Sequence, residues 1–457
     1  MARLGVPRVP QLAAYRGVVL LLWTLAAYNA FECRGLFWDG SSVLVNIIDE
    51  GTFHDFYPAR AHVGWLTQLP VLLAIKLGVV DTRLLAMILS AGLFALPAGL
   101  YTLALARVRD DGVLLAAVVT IVSPVYLPTS FFIIGEYNAT FAALTAAMAV
   151  VLTTDDGRGW RDSAILCALG ILCIASYEAM IYLGPLMAAA ILWRVVRQGT
   201  DGGARLLGAI AALAFLGGAV VSGVTVIEYW LHPHFVLVRQ AVLDFWQNLQ
   251  FVIPLCGLAI FALLSLAWPS WLKGRGPTVV ICLAALLLAA TPWLRRFDPE
   301  TMLFPPAQYV ARTAAGGLLV GVLVAMWIYV AWRRSPPALL ANLRQPAVAR
   351  QLVTAAFVLL LAATIPDIAL TRLWTGYLDY FRGLVVGRTG LVSARDLPMD
   401  VWPQRLFTQE WTYPALSVIL RSAPGQAIVL IDKDFDNVPF DPRCGTVPRL
   451  TGFAWRG

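Results

Sequence analysis

Between residues 33 and 81 the chain gathers side chains that move protons and hold anions. Asp39, the run Asp49-Glu50-Gly51, His54, Asp55 and Arg60 lie there among Trp38, Tyr57 and Pro58. A carboxylate within about 3 Å of a hydroxyl can take its proton as the oxygen attacks. An arginine in a partly dehydrated site stabilises negative charge as it develops. Acid–base and anion-stabilising chemistry are therefore within reach of this one segment. A plainer reading is a solvated loop whose charges cap short helices, with Asp39 the N-cap of a helical turn from Ser41 to Ile48.

Two more carboxylates stand out because each falls between apolar runs with few charged neighbours. Glu136 and Glu178 would cost about 2.5–3.5 kcal/mol at membrane depth, so such residues usually have a role, although at an outer turn water reduces that cost. His232 and His234 flank Pro233 without a third ligand nearby, which is poor zinc spacing. Of the six cysteines, Cys167, Cys173, Cys256 and Cys282 fall in apolar runs and show no metal-ligand or redox spacing. Cys33 and Cys444 lie in the more polar segments, where a disulfide between them is one option.

The elements that must position these groups are membrane helices. Hydrophobic residues make up 59% of the 457, and charged residues only 13%, about half the share usual in a soluble domain. Crossing a hydrocarbon layer about 30 Å thick takes about 20 helical residues, because each backbone N–H must find its carbonyl within the span. Apolar runs of that kind predict about eleven spans. They begin with Gly17 to Glu32, then Thr82 to Ala106, Val113 to Ser130, Ala139 to Thr153, Ser163 to Ala175, Ala179 to Trp193 and Leu206 to Ile227. Phe251 to Trp268, Thr278 to Trp293, Ala314 to Trp332 and Leu352 to Leu370 complete the set.

Arginine and lysine punctuate alternate breaks: Arg107/Arg109, Arg158/Arg161, Arg194/Arg197, Lys273/Arg275 and Arg333/Arg334/Arg344/Arg350. These loops, and the N-terminus with Arg3, Arg8 and Arg16, are assigned to the cytoplasm, the loops around Glu136, Glu178 and His232 to the other side. The scheme requires the apolar stretch Trp65 to Val80 to lie along the outer surface, since a crossing there would invert every later loop. Phe235 to Phe251 reads as a second surface helix. Trp38, Trp65, Trp193, Trp230, Trp268, Trp271, Trp293 and Trp332 read as an interfacial belt, with sugar stacking on Trp38 or Trp65 as the alternative. The net charge of +7 comes from arginines scattered at helix ends, which argues against nucleic acid as a partner.

An odd number of spans starting inside leaves the tail outside. Residues 371–457 are expected to form a small extracytoplasmic α/β appendage to a transmembrane domain of residues 1–370. It should hold a helix near Pro414 to Arg421, a turn at Pro424-Gly425 and a strand from Ala427 to Ile431. No phosphate-binding loop and no internal repeat is present in the sequence.

This order of features resembles the GT-C superfamily of membrane glycosyltransferases, which includes protein mannosyltransferases and aminoarabinose transferases. In that family an acidic residue follows the first helix, and a short helix then ends in an acidic-Gly pair, as Asp39 and Glu50-Gly51 do here. A surface helix of the form P-L-x-x-W-L-x-x-L-x-x-K-L-x-G comes next, to which Trp65-Leu66 and Leu73-Ala74-Ile75-Lys76-Leu77-Gly78 are similar. Pro306-Ala307-Gln308-Tyr309-Val310-Ala311-Arg312 resembles the family's R-Y-x-x-P start of a late helix, with Gln308 where arginine is usual. Gly40 likewise replaces a frequent glutamate, and the turn after the third span offers Glu136 but no arginine. The likeness extends over about residues 10 to 330 and rests on order more than on any one string.

The resemblance implies inverting transfer of a sugar from a polyprenyl-phosphate donor to a glycan, lipid or protein acceptor, at the outer face of a bacterial inner membrane. Asp39 would be the general base, and Arg60 would steady the leaving phosphate, with Arg312 and Arg239 behind it. Glu136 would orient the acceptor or a divalent cation, and the cofactor is otherwise open. Asp49, Glu50, His54, Tyr57, Glu178 and Tyr309 would be substrate contacts, and no protein metal ligands are assigned. The rivals are a transporter or flippase of lipid-linked or small solutes, which tends to show inverted repeats and broken, charged helices at mid-membrane, a polymerase or ligase of lipid-linked glycans, and a non-catalytic assembly protein.

Overall fold

The computed structural model describes residues 10–55, 57–130, 135–153, 159–197, 202–230, 256–257, 259–260, 263–264, 267–293, 305–399, 404–408, 410–430 and 450–456. Arg3, Arg8, Arg158, His232, His234, Arg239, Asp432 and Cys444, the expected surface helix of residues 235–251 and most of the expected span at 251–268 lie outside these residues. The helices in chain order are α1 (Gln11–Phe31), α2 (Gly40–Glu50), α3 (Ala61–Lys76), α4 (Thr82–Val108), α5 (Gly112–Ile121), α6 (Glu136–Thr153) and α7 (Gly159–Ile174). Then come α8 (Met180–Arg197), α9 (Gly202–Glu228), α10 (Gly276–Ala290), α11 (Pro305–Ala331), α12 (Ala338–Leu343), α13 (Pro346–Val386) and α14 (Tyr413–Leu420).

The fold is predominantly helical, and seven helical segments among the described residues are long and apolar enough to cross a membrane. They are Gln11–Phe31, Thr82–Val108, Gly112–Thr129, Met180–Arg197, Gly202–Glu228, Ala314–Ala331 and Pro346–Val386. With 16 and 15 residues, α7 and α10 are shorter. From Tyr137 to Leu152 every residue of α6 is buried. A helix enclosed by protein on all sides can carry Asn138, Thr140 and Thr145 where a lipid-facing one could not.

The chain packs as two compact units, the division falling within α1, α4 and α13. The first comprises Met1–Trp23, Pro97–Ser130 and Tyr137–Asp367. Its closest packing joins α9 to α7 and α8 through small residues. A Cβ on Gly184 would come within 2.5 Å of the Phe215 carbonyl oxygen, and one on Gly218 within 2.5 Å of the Cys173 oxygen. Without a hydrophobic drive between helices in lipid, such close backbone approach supplies the dispersion contacts that hold them. At one end of these helices Arg107 Nη2 donates to Asp162 Oδ2 at 2.7 Å, and its Nε donates to Thr153 Oγ1 at 3.2 Å, tying α4, α6 and α7 together. The carboxylate of Asp111 accepts from the N–H groups of Val113 and Leu114, capping α5. Around Pro124, α5 loosens into a π-helical turn (Val122–Tyr126) and then a 3-10 turn (Leu127–Thr129).

The second unit comprises Thr24–Leu96, Phe131–Glu136 and Ile368–Gly457. Here α13 departs from expectation: it runs to Val386, sixteen residues beyond the span end set at Leu370. Trp374, Tyr377, Leu378, Phe381 and Val385 are buried at helical spacing, while Arg372, Asp379 and Arg382 alternate with them. Those charges lower the hydropathy and hide the amphipathic continuation of the helix. The tail then forms β1 (Leu391–Ser393), paired in parallel with β2 (Ile428–Leu430), Leu391 opposite Ile428. The expected helix near Pro414 is α14, the turn at Gly425 has φ +88°, and the strand falls within Ala427 to Ile431, with Ile431 itself outside the described residues. Residues 450–456 return to the start of α4: Thr82 N–H donates to the Ala454 carbonyl, and Arg456 N–H to Asp81 Oδ1.

The surface stretch expected at Trp65 to Val80 is the helix α3, displaced toward Ala61. Trp65, Leu66, Leu69, Leu73 and Leu77 form an exposed stripe, while Val63, Thr67, Gln68, Val71, Leu72 and Ala74 are buried. An apolar exposed stripe on a 16-residue helix suits a helix lying in the lipid interface.

Candidate functional site

The site is built from the start of α2. Trp38 occupies the left-handed region with φ +58°, a conformation a bulky residue adopts only when its surroundings impose it. They do: Trp38 is buried, edge-on to Phe37 at 5.7 Å and to Trp411 at 5.3 Å. Phe37 in turn packs on Trp374 at 5.3 Å and Phe407 at 6.0 Å. Trp38 therefore belongs to this buried cluster and not to the interfacial belt expected of it. Trp65, Trp230, Trp268, Trp293 and Trp332 are exposed. At Gly40 a Cβ would lie 1.7 Å from the Gly35 carbonyl oxygen, so the tight turn into α2 excludes the glutamate usual in the resembled family.

Asp39 is half-buried and does not cap α2: its side chain makes no capping hydrogen bond. Its Oδ1 instead accepts the indole N–H of Trp411 at 3.1 Å, across 372 positions of sequence. Asp39 thus stands at the expected N-cap position of α2, but its side chain is committed to Trp411 and not to the helix. Asp49 and Glu50 close the same helix, half-buried and exposed respectively, and Gly51 turns the chain with φ +68°. Eleven residues at 1.5 Å each separate Asp39 from Glu50 by about 16 Å, so the two ends of α2 cannot meet at one reacting atom.

Beyond Gly51, the loop is held by His54. Its backbone N–H donates to Gln68 Oε1 at 2.8 Å, and Gln68 Nε2 donates back to the His54 carbonyl at 2.7 Å. The ring lies 3.3 Å from Asn46 Nδ2 through Nε2 and 4.0 Å from Glu50 through Nδ1. Burial pushes the His54 pKa below its ordinary value, and the nearby carboxylates of Glu50 and Asp55 oppose that shift. The imidazole is thus neutral at pH 7, a tether between α2 and α3. Trp65 Nε1 donates to Asp55 Oδ2 at 3.0 Å.

Arg60, at the end of a short 3-10 turn that leads into α3, lies over the Tyr57 ring at 4.9 Å and 3.9 Å from Glu136 Oε1. Their side chains are 11% and 6% exposed. Glu136 opens α6 after Gly135, whose φ of +77° makes the turn, and a carboxylate suits a helix N-terminus. Three residues picked from sequence for separate reasons, Tyr57, Arg60 and Glu136, thus form one group. The pair is longer than the about 2.7–2.9 Å of a hydrogen-bonded arginine–carboxylate contact.

The remaining expected residues lie in the first unit. Glu178 is half-buried in the turn between α7 and α8. Arg312 is buried in α11 with its guanidinium 5.4 Å over the Tyr137 ring, and Tyr309 lies in the same helix. Sequence reasoning overlooked Asp367 beside Pro366 in α13, although an acid inside an apolar run is itself a signal. It is buried and accepts from Ser130 Oγ at 3.1 Å. Thr129 Oγ1 donates to Asn138 Oδ1 at 3.2 Å, and Tyr137 O–H to the Thr129 carbonyl. Trp411 was also overlooked, because nothing in its local sequence marks it. Cys33 is a buried free thiol, and no group of three or more His, Cys, Asp or Glu side chains converges among the described residues. Compared with protein-family models, curated proteins and solved structures, the chain matches none.

Proposed function

We propose that the protein is a membrane glycosyltransferase that moves a sugar from a polyprenyl-phosphate carrier to an acceptor hydroxyl on the extracytoplasmic side of a bacterial inner membrane, inverting the anomeric carbon. The observation that carries this reading is Asp39: a half-buried carboxylate that leaves α2 uncapped and is held by an indole N–H from a distant segment. Such a carboxylate accepts the proton of an attacking hydroxyl. In this reading the Arg60 guanidinium faces the phosphate as the C–O bond to the sugar breaks and stabilises the charge that develops on it. The separation of the two ends of α2 suits a long substrate, with the acceptor at Asp39 and carrier contacts near His54 and Arg60. The N-terminus is cytoplasmic, and residues 33–81 and the tail share the outer compartment.

The test is product stereochemistry. Purified protein in liposomes is given a polyprenyl-phosphate sugar and an acceptor mixture, and the product is examined by NMR. Release of polyprenyl phosphate with an inverted glycosidic linkage is expected, whereas retention or no release under any acceptor condition contradicts it. The buried pair of charged residues Arg312 and Asp367, with Pro124 and Pro366 in loosened or proline-bearing helices, favours a second reading as a carrier. Uptake into the same liposomes that is lost in Asp367→Asn would support the carrier instead.

A further inference from the structure

Trp411 is 41% exposed although its indole N–H is committed to Asp39 and its ring packs at a steep angle against the buried Trp38, centroids 5.3 Å apart. Trp38 packs on Phe37, which in turn packs on Phe407 and Trp374, so Trp411 joins one end of a chain of aromatic contacts. A lipid-facing tryptophan at a membrane interface directs its N–H to water or headgroups. Here the N–H donates to the Asp39 carboxylate, and Trp38, the residue before Asp39, packs against the Trp411 ring. The result is a flat apolar surface beside an anionic oxygen.

That combination matches one ligand chemistry closely. A pyranose presents a face of C–H groups, slightly positive and apolar, and a rim of hydroxyls. The first suits the negative face of an indole and the second suits a carboxylate. From this geometry we infer that Trp411 is the platform of the acceptor subsite and that the acceptor is itself a sugar residue, stacked on the indole with one hydroxyl on Asp39. The inference rests on the transferase reading for its chemistry, and it narrows the acceptor from glycan, lipid or protein to a carbohydrate. Trp411 is in addition a positioning residue, since its N–H orients the Asp39 carboxylate.

The test uses the full chain in detergent and saturation-transfer NMR with a panel of methyl hexopyranosides and methyl pentopyranosides. At least one should receive saturation on its ring C–H protons. Trp411→Phe should keep that signal, and Trp411→Ala should weaken binding by about fivefold or more, as expected for loss of one aromatic contact. Unchanged thermal unfolding of Trp411→Ala shows that the loss is local. If transfer is established, Trp411→Phe should leave the acceptor KM near wild type and lower kcat about tenfold, with partial rescue by Trp411→His, which restores an N–H. A chain that binds no pyranoside, or a Trp411→Ala variant that binds as the wild type does, overturns the platform. Ring-dependent binding without any transfer supports the platform and removes the transferase reading. Transfer to a lipid or peptide that Trp411→Ala leaves untouched overturns the platform and keeps the transferase.

Discussion

Two arginine–carboxylate pairs of similar burial, one in each unit, are built in opposite ways. Arg107 and Asp162 meet at 2.7 Å, with Arg107 also donating to Thr153, so that one guanidinium staples three helices. Arg60 and Glu136 stand 3.9 Å apart, Arg60 lying on Tyr57 at the end of a short turn. A short, multiply bonded pair gains most when nothing moves. The contrast is between a guanidinium that bonds side chains of two other helices and one that lies on a ring beside a more distant carboxylate.

The largest effects should therefore lie in the first unit. Gly184→Val puts a branched side chain against the Phe215 carbonyl and is expected to cost about 3 kcal/mol or more through overpacking, read as loss of folded protein in detergent extracts. Asp162→Ala strands Arg107 and should cost about 3–5 kcal/mol, measured by thermal unfolding. Glu136→Gln, at the looser pair, should cost only about 1–2 kcal/mol in the same measurement. A loss as large as that of Asp162→Ala would break the contrast.

The pH dependence sharpens it further. His54 has a depressed pKa in the folded chain, so below about 6.5 the unfolded state takes up a proton that the folded state does not. Stability then falls as pH drops from that value through the folded pKa, and is level above it. His54→Gln should flatten this part of the curve, by about 1 kcal/mol or less. An unchanged slope would mean that another group titrates there.

The sequence made the helices legible wherever apolar runs were uninterrupted, and α3 formed with Gln68 and Pro70 within it and Lys76 at its end. The extension of α13 was hidden by Arg372, Asp379 and Arg382, which look polar in a window average but face away from Trp374, Tyr377 and Phe381. At the site the residue types were legible and their partners were not. Asp39 reads as a cap because capping is a local pattern, whereas Trp411, which holds it, is 372 positions away. Arg60 and Glu136 drew notice separately, and only folding pairs them. Gly40 looked like a departure from a family pattern and proved to be a steric requirement of the Gly35 turn.

The smallest change in stability is expected for Asp39→Asn, about 1 kcal/mol or less, since it alters one hydrogen bond at a half-exposed group. The same variant is the most direct test of the chemistry. Its rate of sugar transfer from a polyprenyl phosphate, normalised to folded protein, should fall about 10²–10⁴-fold, the usual worth of a general base. Transfer at the wild-type rate would contradict the assignment of Asp39 and, with it, the placement of the reaction at the start of α2.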